Sequence, residues 1–328
     1  MKTLTTYITE KLVLNKNTFK GQTHKYEYFP KTKKELMEIL IKLLNERKKD
    51  PVIDLNDIDT SDITDMSGLF FNVNSYYSII NIDISNWNIS NVTNMNNMFY
   101  RCDYLQSIGD ISGWNVSKVE NMSNMFNRCA NLKSIGDLSD WDVSKVTNTS
   151  FMFTECNKLE SIGNISSWDV SKVTNMRVMF YQCWNLKSIG DLSDWDISEN
   201  KDLTGMFSEC FKLKSVGNLD NWNVSKVEDM TNMFTRCEKL QSIGDISSWN
   251  VSEVKCMRNM FSNCYELKSV GDLSDWNISN VKSIEGIFKH CQKLHSAGDL
   301  SKWNMPENIR IIDAFFDSGI KDLPSWYQ

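Results

Sequence analysis

Tryptophan recurs at residues 87, 114, 141, 168, 195, 222, 249, 276 and 303, a 27-residue step that never slips. Cysteine keeps the same step from Cys102 to Cys291, and phenylalanine from Phe99 to Phe288. A fixed period of this length marks a solenoid, because one such unit cannot bury its apolar face alone and must stack on its neighbours. Eight full rungs span 87–302. A degenerate rung precedes them, with Ile58 at the Trp position, Phe70 in phase, Val73 at the Cys position and two extra residues before Trp87. The last rung, from Trp303, keeps Phe315 in phase but carries Ser318 where Cys would stand. The expected organisation is an N-terminal helical cap with a candidate targeting peptide over 1–50, then the solenoid over 51–328.

Within a rung, Met122, Met125, Phe126 and Cys129 fall at i, i+3, i+4 and i+7, which predicts a short helix. Asn94, Asn121, Asn148, Asn175, Asp202, Asp229 and Ser283 stand just before it as N-cap residues, with Cys256 the weak substitute. Leu132 to Ile135 alternates like a strand, and Gly136, repeated in all eight rungs, predicts a turn closed to other residues. A second extended piece, Leu138 to Val143, leads into the next rung. Strands of successive rungs are expected to pair in parallel, about 4.8 Å apart.

The string V-x-N-M followed by M-F-x-x-C-x-x-L-x-S-I-G, over roughly residues 58–318, resembles the BspA-like leucine-rich repeats and the related bacterial surface-protein repeat. The resemblance implies a right-handed solenoid used for adhesion or protein binding, typically outside a bacterial cell. The fold class is thus an α/β repeat solenoid, a leucine-rich-repeat-like right-handed stack of 27-residue rungs, each with short parallel strands and a short helix. The chain departs from that family in showing neither a signal peptide nor a lipoprotein cysteine, which leaves surface localisation open.

The net charge of -6 is unevenly divided. Residues 1–50 carry 12 Lys/Arg against 6 Asp/Glu, and residues 51–328 the remaining 24 against 36. An acidic repeat region repels phosphate backbones, which argues against nucleic acid as the partner. No run of about 18 apolar residues exists to cross a membrane. A ladder of unpaired thiols favours a reducing compartment, cytoplasm or virion interior, where the family resemblance favours the cell surface.

Thr32 and Glu35 predict a capping box for a helix within 31–50, whose apolar face is Leu36, Ile39, Leu40, Leu43 and Leu44 and which covers the open first rung. Residues 1–13 put Leu4, Tyr7, Ile8 and Leu12 on one helical face. Their pattern resembles the head-targeting start of internal capsid proteins in some tailed phages, which implies a phage virion or intracellular cargo protein as an alternative function. A frayed or capping helix fits the same residues.

Chemistry is sparsely supplied. The in-phase cysteines occupy core positions and lack the two-to-four-residue pairing of zinc sites, while Cys256 stands outside the column as the most exposed thiol. Of the three histidines, His290 and His295 lie near Cys291, but no motif supplies a matching acid or nucleophile. The Asp ladder (Asp110, Asp137, Asp191, Asp245, Asp272, Asp299) reads as turn residues, and sequons such as Asn115 belong to the rung pattern. Neither an enzyme, a metal nor a cofactor is expected.

Function is then sought where the framework leaves positions free. One follows the Cys and holds Trp184, Phe211 and Tyr265, with Tyr181 three residues before Trp184. Another lies in the first strand and holds Lys187 and Lys214, part of a basic stripe on an acidic body. These residues are the candidate site for a protein partner, acidic where it meets the lysines, or for an anionic glycan. Scattered surface aromatics on a merely solvated face are the alternative.

Overall fold

The computed structural model describes residues 25–74 and 79–327. The expectations for residues 1–13 lie outside them. Thr32 starts helix α1 (Lys33–Glu46) by accepting the Glu35 N–H at 3.2 Å. The return half of the box is displaced, because the Glu35 carboxylate takes the Lys31 N–H at 2.6 Å. Leu36, Leu40, Leu43 and Leu44 are buried, and Ile39 is partly so. Strands β1 (Ile53–Asp54) and β2 (Ile82–Asp83) pair in parallel, and a short helix α2 (Leu69–Asn74) lies between them and packs against α1. Ion pairs Arg47–Asp57 and Lys33–Asp65 fasten α1 to the first rung.

The short helix expected in each full rung is absent, and a chain of tight turns takes its place. In the segment after Asn121 the backbone donors alternate. Asn124, Phe126 and Arg128 give their N–H groups to Ser150, Met152 and Thr154 of the next rung, whereas Met125, Asn127 and Cys129 bond three residues back in their own. Left-handed backbone at Asn124 (φ 56) and Arg128 (φ 66) breaks the run every fourth residue, so no α-helical ladder forms. The apolar spacing misleads because the turns also aim Met122, Met125, Phe126 and Cys129 inward, all fully buried.

That left-handed column runs through Gly68, Asn97, Asn124, Phe151, Val178, Gly205, Asn232, Asn259, Gly286 and Asp313. A second column, from Arg101 to Asp317, holds mostly long polar residues. The predicted N-cap residues do accept backbone protons, but they cap turns: Asn121 Oδ1 takes the Ser123 N–H at 2.9 Å, and Asp229 Oδ1 that of Thr231 at 2.8 Å.

Parallel pairing is firmest at this same column, in bridges from Asn94 through Asn121 and Asn148 to Asn175, and from Asp202 through Asp229, Cys256 and Ser283 to Arg310. The Leu132 to Ile135 piece pairs more loosely than expected, with Lys133 N–H reaching Gln106 O at 3.3 Å. At the corner that follows, Gly136 takes φ +94, and a Cβ there would lie 2.0 Å from Asp110 Oδ1. That oxygen is held in place by the Ser112 N–H, as the turn reading of the Asp ladder expects.

Two aromatic ladders, one of Phe and one of Trp, run through the core. The Phe rings from Phe70 to Phe315 stack without a break at 4.8 to 5.9 Å. Each ladder indole donates to the carbonyl three residues before the preceding rung's Trp position, as Trp168 Nε1 does to Leu138 O at 2.9 Å. At the C-terminal end Trp326 stacks on Trp303 at 6.0 Å and donates to Leu300 O. It fills the next Trp position although the last rung is too short to reach it in phase.

Candidate interaction surface

Trp184 and Phe211 occupy the same offset of adjacent rungs, and parallel stacking brings their ring centroids to 6.1 Å at 22°. Trp184 stays 40% exposed, well outside the range of the ladder tryptophans. Arg236, one rung further on, sets its guanidinium 5.2 Å from the Phe211 ring, so the surface column reads indole, phenyl, cation. No sequence signal marks Arg236 because it lies at a different offset; only the turn geometry carries it over the ring.

Tyr181 sits half-buried on the turn that precedes Trp184, its hydroxyl accepting from Gln182 Nε2 at 3.0 Å. Burial, then the carboxylates of Glu209 and Glu155, raises its phenol pKa, which keeps the hydroxyl protonated. Lys187 is exposed and paired with Glu160 at 2.6 Å, a bond that lowers the Glu160 carboxyl pKa. The stripe is therefore less basic than its lysines suggest. Lys214 is exposed one rung on, and its backbone carbonyl accepts from Gln241 N–H at 3.1 Å. Tyr265 stands apart from the stacked pair, two rungs beyond Phe211 with Glu238 between, and its hydroxyl donates to Asn263 Oδ1.

The in-phase cysteines are buried and unpaired, with Cys129 Sγ donating to Phe99 O at 3.2 Å and the column repeating this bond up to Cys291. Burial is the main cause that pushes their thiols up, to about 12 at Cys291. Cys256 is half-buried. His290 is engaged by Asp317 at 2.8 Å rather than by the neighbouring thiol. Among the described residues no cluster of His, Cys, Asp and Glu is arranged to hold a metal, and no helix is long and apolar enough to cross a membrane.

No curated protein matches the sequence. Among solved structures, a leucine-rich repeat protein from Bacteroides ovatus is similar at 18% identity, over 73% of this chain and 76% of its own, with a TM-score of 0.35. One from Eubacterium ventriosum is similar at 15% identity over 88% of each chain, TM-score 0.33. A leucine rich cell surface protein from Faecalibacterium prausnitzii is similar at 16%, over 80% of this chain and 87% of its own, TM-score 0.23. These are bacterial leucine-rich repeat proteins, as the rung motif implied, without the narrower BspA-like name. A family model matches residues 40–137, 130–242 and 211–324, so that the chain belongs to the family described as "Mycoplasma protein of unknown function, DUF285".

Proposed function

We propose that this chain is a non-enzymatic scaffold that binds a protein partner across the rungs bearing Trp184 and Phe211. The observation that carries the reading is the stacked pair of exposed Trp184 and half-buried Phe211 at a position the framework does not need. Large aromatics of low conformational entropy, held rigid by their neighbours, are favoured anchors at interfaces. Lys187 and Lys214 belong to the rim, where charge acts mainly on the association rate.

The test is affinity capture from native extract with the parent, Trp184→Ala and Phe211→Ala chains, followed by affinity measurement on the captured protein. Each aromatic truncation should cost about 2 kcal/mol of binding with the fold intact, and Lys187→Ala should matter mostly at low salt. Equal affinity of both aromatic variants and the parent would mean that the partner binds elsewhere on the solenoid.

A further inference from the structure

Two adjacent rungs break the rule of the first left-handed column. Its other positions hold Gly, Asn or Asp, the residues that tolerate positive φ, but Phe151 (φ 60) and Val178 (φ 47) do not belong to that set. A β-branched residue in this conformation is a strained choice, and strain of this kind gathers at ligand-binding sites. Neither side chain is withdrawn into the core, as both are half-buried.

Their place on the molecule gives the strain a meaning. The Phe151 N–H bonds to Arg177 O at 2.9 Å, which seats Phe151 beside the Val178 turn, and Tyr181 N–H closes that turn on Val178 O at 3.2 Å. Trp184 follows three residues later. Val178 leans over the next rung where Gly205 leaves room, since a Cβ on Gly205 would lie 2.8 Å from Val178 Cγ1. The backbone thus traces a path from Phe151 to the Val178 turn of the next rung and on through Tyr181 to Trp184.

Two of the charged pairs along this path leave the cation more exposed than its carboxylate. Arg177 is 43% exposed against 28% for its partner Asp202, and Arg236 is 49% exposed against 19% for Glu209. Lys187, paired with the equally exposed Glu160, and Lys214 border the aromatic end. A partner laid on the path meets, at its margins, Lys214 and the guanidinium groups of Arg177 and Arg236, each more exposed than the carboxylate it pairs with.

Resting on the protein-binding reading above, we propose that Phe151 and Val178 extend the docking surface across the turn face, and that its occupant is an acidic protein segment carrying a row of apolar side chains. The strained residues are kept for the contact they make, at the expense of fold stability.

A display library of random 12-residue peptides selected on the full chain tests this. Recovered peptides should be rich in Asp and Glu beside Leu, Phe or Trp. Val178→Asn and Phe151→Asn restore the residue type common in the column, so each should raise the thermal midpoint by about 2 °C and weaken the selected peptides at least fivefold. Val178→Gly serves as a second variant with the same expected loss of binding. Peptides that bind these variants as tightly as the parent, yet are lost with Trp184→Ala, overturn the extension and leave the protein-binding reading standing. Basic peptides overturn the assigned chemistry. Peptides indifferent to Trp184→Ala as well, or no binders at all, overturn both readings.

Discussion

A buried thiol is held neutral by its surroundings, and the eight in-phase cysteines make that a property of every full rung. Their folded pKa values lie above the ordinary 9.0, with Cys291 at about 12. The unfolded chain therefore releases thiol protons first as pH rises. Stability from this source is complete below about pH 9 and falls from there through the folded values, by roughly 1 kcal/mol per pH unit for each thiol. Alkaline unfolding followed by circular dichroism should set in steeply within about two units above pH 9, and a fully folded chain at pH 11 would contradict it. In the native protein at neutral pH a bulky maleimide should label Cys256 quickly and the column slowly. Asn200 is a second residue with a clear expectation. It is fully buried where the other full rungs hold Val, and its Nδ2 has no partner. Asn200→Val should stabilise the fold by about 1 kcal/mol, seen as a higher thermal midpoint; a lower midpoint would show that the amide is needed.

Among the elements, α1 was legible because its cap and its leucine face obey local rules that no neighbour overrides. The rung turns were not. Spacing of i, i+3, i+4 and i+7 describes any backbone that returns the same face every three to four residues, and turns stacked on neighbouring rungs do so as well as a helix. The missed signal was composition: Asn97, Asn124, Asn232 and Asn259, with Gly205 and Gly286, mark a left-handed position two residues before each Phe. The Gly corner, by contrast, was readable from repetition alone, and it yields a paired prediction. Gly136→Ala must fit a Cβ against Asp110 and should cost about 2 kcal/mol, whereas Gly113→Ala, with open space around it, should be near neutral. Similar melting of the two variants would show that the corner is not fixed by that close approach.

For the molecule as a whole, the 27-residue period announced the solenoid, and the structure adds the ladders that make it continuous. The candidate surface was legible in part. Trp184 and Phe211 stood out because a period exposes what departs from it, and stacking converts equal offsets into contact. Arg236, Phe151 and Val178 needed the turn path, and Tyr265 shows that the same offset two rungs away does not join the patch. On the proposed reading, the committed framework carries one docking surface centred on rungs 141–221. Hydroxyl-radical footprinting of the chain, alone and saturated with its captured partner, tests this most directly. The predicted result is loss of reactivity at Trp184, Phe211 and Tyr181 with Tyr265 and Trp326 unchanged. Protection confined to other faces, with Trp184 as reactive in the complex as in the free chain, would contradict it.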